Sequence, residues 1–166
     1  MLNLLIKRYI EVKILKGIKI VFPDEGVEAI AKLNEEDAPV TCEVIRRALP
    51  IKGEAIHDVW SGQIAFAFLE PTKVIPFEAV PRSGAVLPGE VFYWYAPKNY
   101  LHGRPYGRDG GSEIGIVYGR DCQPMCTRGP KRVNVFATIT EGLDAVAEVC
   151  NRMIYEGKKR LVIEGA

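Results

Sequence analysis

The chain has 166 residues, of which 48% are hydrophobic and 26% are charged. These proportions exclude a largely disordered chain, and the length predicts a single domain over residues 1–166. The 22 basic and 21 acidic side chains leave a net charge of +1, which disfavours binding to nucleic acid through a general basic field.

The N-terminal 22 residues are rich in apolar side chains but do not have the pattern of a membrane anchor. Lys7, Arg8 and Glu11 interrupt the apolar run, and no stretch of the chain reaches the roughly 18 apolar residues of a membrane-spanning helix. No small-residue cleavage site follows, so we expect a cytoplasmic protein without a membrane partner.

The four cysteines are expected to be free thiols in that reducing compartment. A disulfide between Cys122 and Cys126 stays open, because cytosolic proteins of hyperthermophiles can be rich in disulfides. A zinc site would need two further ligands, and no second Cys/His pair exists, so neither a metal nor a cofactor is predicted.

The first part of the chain predicts a β-hairpin followed by a helix. Residues 17–22 and 27–33 alternate as half-buried strands on either side of a turn, and residues 1–16 are interpreted as an extra strand or an extended arm. A helix is predicted over residues 38–49, with Asp37 as its N-cap and Pro50 at its end.

The rest of the chain predicts six more strands and a second helix. The predicted strands are 53–60, 63–69, 90–96, 113–119, 132–139 and 161–164, with a proline-rich connection over 71–89. The strand over 63–69 is apolar on both faces, which indicates a central strand covered on one side by a helix. The second helix is predicted over residues 141–155, capped by Thr140 and ended by Gly157.

These elements give a mainly β fold with two helices. About eight short strands favour a closed β-barrel, because closure removes exposed sheet edges. Two helices cannot cover both faces of a parallel sheet, which argues against a doubly wound fold.

Two segments resemble the cyclophilins. Residues 37–43 (DAPVTCE) resemble the start of the first cyclophilin helix, and residues 134–146 (NVFATITEGLDAV) resemble its late strand, Glu-Gly turn and second helix. The chain is more closely similar to prokaryotic cyclophilin-like domains of unknown function, and it is similar in kind to the barrel portion of cucumopine synthase. The resemblance implies a closed cyclophilin-like barrel of about eight strands with two helices.

The sequence departs from the cyclophilins at the position that matters for isomerase activity. Active members carry a His-Arg pair after the first helix, whereas this chain has His57 followed by Asp58. A carboxylate cannot polarise the prolyl amide as that arginine does. Peptidyl-prolyl isomerase activity is therefore kept only as an alternative.

His57 and Glu113 are the candidate catalytic residues. A histidine with a pKa near neutrality can act as a general acid or base, although a buried structural histidine is equally consistent with the sequence. Glu113 begins a predicted strand beside a glycine-rich loop, where it is either a residue of the barrel rim or a solvated edge charge.

The candidate ligand-binding residues are mostly aromatic. Tyr93 and Tyr95 share one face of an aromatic strand, and they would form either a pocket wall or part of the core and a subunit contact. Trp60 and Tyr118 complete the aromatic set, and Arg120 would hold a substrate carboxylate through two hydrogen bonds.

The sequence therefore predicts a barrel that binds, and in one version transforms, a small polar or carboxylate-bearing metabolite in a pocket beside the barrel. The alternatives are a prolyl isomerase and a non-catalytic oligomeric binding module. Aromatic strands and the N-terminal arm also lead us to expect a homo-oligomer.

Overall fold

The computed structural model describes residues 15–69, 85–96, 111–126 and 129–166. The two helices in these ranges are α1 (Pro39–Ala48) and α2 (Leu143–Glu156). The strands are β1 (Gly17–Phe22), β2 (Val27–Leu33), β3 (Ile51–His57), β4 (Ile64–Leu69), β5 (Glu90–Ala96), β6 (Gly111–Val117), β7 (Met125–Cys126), β8 (Gly129–Pro130), β9 (Asn134–Glu141) and β10 (Lys159–Gly165). Residues 1–14, most of the predicted connection over 71–89, and residues 97–110 lie outside the described part.

Eight strands form a closed antiparallel barrel in the order β1-β10-β3-β4-β6-β5-β9-β2. The strands β7 and β8 form a separate two-stranded ribbon. The predicted mainly β fold with two helices and a barrel of about eight strands is therefore confirmed.

Alternating apolar side chains along the strands fill the barrel. On β1, for example, Ile18, Ile20 and Phe22 are fully buried, whereas the residues between them are half-buried. Side chains on a strand point alternately to its two faces, so this pattern directs one face of each strand into a common core.

The two helices lie at opposite ends of the barrel. The helix α1 joins the end of β2 to the start of β3 and contacts β9, where the Cys42 thiol donates a hydrogen bond to the Phe136 carbonyl at 3.3 Å. The helix α2 joins β9 to β10 and contacts β2 and β3 through a buried stripe that includes Val146, Cys150 and Met153. In each helix a stripe of buried side chains therefore lies against the barrel.

Both predicted N-caps are wrong, whereas Gly157 is the C-cap of α2 as predicted. Ala38 is the N-cap of α1 and Gly142 is the N-cap of α2, and neither cap forms a side-chain hydrogen bond. The Thr140 hydroxyl instead donates a hydrogen bond to the Ile30 carbonyl on β2, because Thr140 still belongs to β9. Gly142 adopts a left-handed conformation with φ of 81°, and it marks the turn from strand to helix.

Among the described residues, the outer face of β4 packs against the connection between β6 and β9 and not against the predicted helix. The strands β6 and β9 are both antiparallel to β5, so they run parallel to each other, and the connection between them must return along the barrel. The described parts of this connection, residues 118–126 and 129–133, pack on the outer face of the sheet. They share a second apolar cluster with the outward side chains of β4, β5 and β6: Ile64, Val86, Phe92, Val117, Cys122 and Val133.

Two further findings concern the described residues only. None of the helices there has the length and apolar character needed to cross a membrane. The four cysteines are free thiols, so the open disulfide between Cys122 and Cys126 does not form in this structure.

Candidate functional site

A buried ion pair lies on the outer face of the barrel, beneath the connection between β6 and β9. The Lys131 ammonium donates a hydrogen bond to Glu113 Oε1, and both side chains are at most 3% exposed. Glu113 precedes the inward-facing Ile114 on β6, so alternation along the strand directs its side chain outward. The interpretation of Glu113 as a solvated edge charge is therefore excluded.

Aromatic rings form the walls around this ion pair. Lys131 Nζ lies 4.8 Å from the centroid of the Trp94 ring and 5.4 Å from that of Phe66, distances at which a cation interacts favourably with an aromatic face. Trp94 is the cross-strand neighbour of Glu113, and Phe66 makes an edge-to-face contact with Phe68 on β4. Phe66 and Trp94 are themselves half-buried, so the pair lies one layer of side chains beneath the surface.

The pKa of the Glu113 carboxyl is raised because burial removes water from the charged form. The ammonium of Lys131 lowers this pKa in opposition, and the negative charge of Asp58 raises it further. Burial has the larger effect, so Glu113 takes up a proton more readily than an exposed glutamate does.

Asp58 lies at the end of β3 and is 7% exposed. One of its carboxylate oxygens accepts a hydrogen bond from the Ser61 hydroxyl at 2.5 Å, and the hydroxyl oxygen accepts one from the backbone N–H of Met125 at 2.8 Å. These hydrogen bonds link the turn between β3 and β4 to the connection that contains Lys131. The outer-face site thus consists of Glu113 and Lys131 with Phe66 and Trp94, and Asp58 supplies a second negative charge.

A second polar pair lies on the inner side of the barrel wall. His57 Nε2 and the Tyr118 hydroxyl are 2.6 Å apart, whereas His57 Nδ1 is buried without a hydrogen-bond partner among the described residues. Burial lowers the pKa of His57, the charge of Asp58 opposes this effect, and burial raises the pKa of Tyr118 to about 12. Both groups are therefore neutral near pH 7 (His57 as imidazole and Tyr118 as phenol).

The barrel wall separates the residues that the sequence placed in one pocket. Tyr93 is fully buried in the barrel core, where its hydroxyl is 3.0 Å from Ser112 Oγ, and Tyr95 packs against the same core. His57 and Tyr118 are brought together on this inner side, and Glu113 lies on the outer side. The predicted set does not form a single pocket, because alternation sends Tyr93 and Glu113 to opposite faces of the sheet.

Two predicted ligand-binding residues lie at the surface. Trp60 is 64% exposed in the turn between β3 and β4. Arg120 is exposed after β6, and its backbone N–H donates a hydrogen bond to the Gln63 side chain at 3.1 Å. Neither residue belongs to the outer-face site. A cavity of about 320 Å³ lies elsewhere, near the start of β1 and the loop after β2, and it contains none of the predicted site residues.

Sequence reasoning missed three members of the outer-face site, namely Lys131, Trp94 and Phe66. Lys131 follows Pro130 in a glycine- and arginine-rich loop, and nothing in that local pattern predicts burial. The two-sided apolar pattern of β4 did carry a signal, because it indicated that Phe66 faces a second buried surface.

The sequence of the barrel matches a known protein family. Residues 20–163 match the family described as Protein of unknown function (DUF3830). The chain belongs to this family. No curated protein matches the chain.

Two solved structures share the fold of this DUF3830 member. McbB, determined in complex with tryptophan, superposes with a TM-score of 0.63 at 15% sequence identity over 89% of this chain. The chain spans 44% of the length of McbB, which is less than half. The hypothetical protein AF2241 from Archaeoglobus fulgidus has a TM-score of 0.53 at 24% identity, covering 92% of this chain and 96% of that protein. At these identities the two structures establish the fold alone.

Proposed function

We propose that this protein binds a small polar metabolite bearing a carboxylate at the outer-face site. The observation that carries the proposal is the buried Glu113–Lys131 pair between the rings of Phe66 and Trp94. Replacing a buried ion pair by apolar side chains is often neutral or stabilising, so packing alone gives little reason for it. Ionisable groups with perturbed pKa values, held beside aromatic walls, are typical of ligand sites.

The charges of the pair suggest how a carboxylate would be held. Burial favours the protonated form of Glu113, and once Glu113 is neutral the Lys131 ammonium is available to a second carboxylate. A ligand carboxylate would then replace Glu113 as the partner of Lys131, and the proton on Glu113 would be available to the ligand. Glu113 thus retains the acid–base role predicted for it from the sequence.

The fold of the neighbours is consistent with this proposal. McbB was solved with tryptophan, which is a small carboxylate-bearing molecule, and its barrel is similar to this one. His57 and Tyr118 are not part of the proposed site, because they lie on the inner side of the wall.

The proposal is tested by isothermal titration calorimetry of the full chain with L-tryptophan, pyruvate and succinate. The test variant is the double substitution Glu113→Gln with Lys131→Met, which removes both charges together and leaves no unpaired buried ion. The control is Lys158→Met, since that lysine is 62% exposed and its ion pair with Glu54 is at the surface.

We expect at least one of the three compounds to bind the wild type and the Lys158 variant equally. The double variant should bind that compound at least about tenfold more weakly, because a charge-assisted hydrogen bond contributes about 1.5–3 kcal/mol. Equal affinity for the double variant, or no binding of any of the three to the wild type, would contradict the proposal.

Prolyl isomerase activity, the alternative suggested by the resemblance to cyclophilins, is not favoured by this geometry. At the position of the cyclophilin arginine the chain has Asp58, a buried carboxylate whose hydrogen bond is with Ser61.

We propose the cytoplasm as the compartment, in keeping with the four free thiols. We also propose that the chain self-associates.

A further inference from the structure

The buried charges around the outer-face site are unequal in number. Glu113 and Asp58 are both buried carboxylates, and Lys131 supplies the ammonium of the ion pair. Lys131 is the only buried lysine among residues 15–69, 85–96, 111–126 and 129–166. When a ligand carboxylate enters, a third negative charge joins this set in a space bounded by aromatic rings.

Glu113 is the group that can offset the added charge. When a ligand carboxylate replaces it beside Lys131, the Glu113 carboxyl loses its cation and stays buried. Burial and the charge of Asp58 both raise the pKa of this carboxyl, and Lys131 is the group that opposes them. Loss of the contact with Lys131 therefore favours uptake of a proton by Glu113.

The other groups packed against Glu113 do not take over this role. The strand β4 has no titratable side chain, and the two tyrosines of β5 lie on the side of the barrel core. The Glu90 carboxylate lies at the start of β5, where it accepts a hydrogen bond from a backbone N–H at 2.7 Å. On the connection, burial raises the pKa of the Cys122 thiol, which stays neutral, and the other charged side chains described there are exposed.

We propose that the outer-face site binds a monocarboxylate together with one proton, which Glu113 takes up from the solvent as the ligand replaces it beside Lys131. This inference rests on the proposed function, and it adds the charge class of the ligand and a pH dependence of binding. The O–H bond on Glu113 is the only covalent bond that forms.

The number of charges explains why one carboxylate is preferred to two. One carboxylate and one proton leave the net charge of the site as it was before binding. A second carboxylate would add a negative charge near Asp58, and the described residues offer no second buried lysine to balance it. The protonated Glu113 carboxyl can also donate a hydrogen bond, which suits a ligand with a further oxygen acceptor.

The test is calorimetric titration of the full chain with pyruvate and L-tryptophan at pH 6, 7 and 8. The carboxyl groups of both compounds stay ionised over this range, so a change in affinity reports on the protein. Uptake of one proton on binding should make the affinity fall with rising pH, by up to about tenfold for each pH unit. Titrations at pH 7 in two buffers with different ionisation enthalpies should give an uptake of about one proton for each ligand bound.

Succinate tests the charge class in the same assay. It carries two carboxylates at pH 8, and it should bind at least about tenfold more weakly there than the better of the two monocarboxylates, because its second charge is not balanced. Succinate that binds as tightly as that compound would overturn the inference.

Glu113→Gln is the test variant, since its amide is neutral at every pH and has the shape of the protonated carboxyl. It should bind the monocarboxylate with an affinity that does not change between pH 6 and 8, and it should take up no proton. Glu54→Gln is the matched control, because Glu54 is 56% exposed and pairs with Lys158 at the surface. The control should keep the pH dependence of the wild type.

The outcomes separate this inference from the proposed function. Binding of pyruvate or L-tryptophan without proton uptake, or with the same affinity at pH 6 and 8, would overturn the inference and leave the binding site. The wild-type titrations decide this even if Glu113→Gln does not fold. A pH dependence that persists in a folded Glu113→Gln variant would also overturn it, and absence of binding by all three compounds would overturn both proposals.

Discussion

At the scale of single residues, the two members of the buried ion pair depend on each other. Lys131→Met would leave the Glu113 carboxylate buried without its cation. We expect this substitution to lower the free energy of unfolding by about 3–5 kcal/mol at neutral pH, the usual cost of breaking a buried pair. Urea denaturation monitored by circular dichroism would measure the loss.

The stability lost in the Lys131→Met variant should be larger at neutral pH than at low pH. Burial already raises the pKa of Glu113, and among the described residues Lys131 is the only group that lowers it. A group whose pKa is raised by folding favours the folded state at low pH, and it loses that contribution as the pH rises above the ordinary value near 4.5. The variant should therefore recover stability toward about pH 5. The double variant with Glu113→Gln should show little of this pH dependence, and a pH-independent loss in the single variant would contradict the explanation.

At the scale of elements, the packing of β5 against β6 depends on the absence of a side chain at Gly115. A Cβ atom added at Gly115 would overlap the Phe92 ring, which lies on the outer face in the second apolar cluster. Gly115→Ala should lower the free energy of unfolding by about 1–3 kcal/mol, because the ring must move within a packed cluster. Thermal denaturation measures the change.

Gly53 on β3 provides the matched control for this prediction. It is also a strand glycine, but the nearest atom to an added Cβ there is a backbone oxygen at 3.4 Å, which is an ordinary contact. Gly53→Ala should therefore leave stability nearly unchanged. Equal effects of the two substitutions would show that loss of backbone freedom, rather than overlap with Phe92, determines the cost.

Much of the element order could be predicted from the sequence, because alternation and helical periodicity are local signals. The bounds of β1, β2 and β5 agree with the prediction. The N-cap residues of the helices could not be predicted in the same way. The backbone conformation of a single residue decides where each helix begins, and no repeating pattern reports it. Asp37 and Thr140 are good capping residue types, yet Thr140 is held in β9 by its pairing with β2.

At the scale of the whole molecule, closure of the sheet determines which predicted site residues meet. Alternation alone correctly separates Tyr93 from its neighbour Trp94. It does not show that Glu113 shares a face with Trp94, because that depends on the register between β5 and β6. Lys131 reaches Glu113 only because its connection returns along the barrel, so the pairing is a consequence of topology that no local pattern carries.

The exposed turn between β3 and β4 has a bearing on how whole molecules associate. Val59 and Trp60 are 67% and 64% exposed, and the adjoining Ile56 on β3 is partly exposed as well. Adjacent exposed apolar side chains of this kind are common where protein surfaces meet, and tryptophan is enriched at the centres of such contacts. Trp94, in contrast, contacts Lys131 and is half-buried, so it is a poor candidate for a subunit contact.

If the chain self-associates through this turn, Trp60→Ser should shift the molecular mass measured by light scattering toward that of the monomer. The expected reason is loss of a large apolar contact, which often contributes 2 kcal/mol or more, on the order of a thirtyfold change in the dissociation constant. Tyr155→Ser is the control, because Tyr155 is also an exposed aromatic residue but lies on α2, outside the turn. A wild-type protein that is monomeric at all concentrations, or an oligomer insensitive to Trp60→Ser, would rule out the turn as the interface.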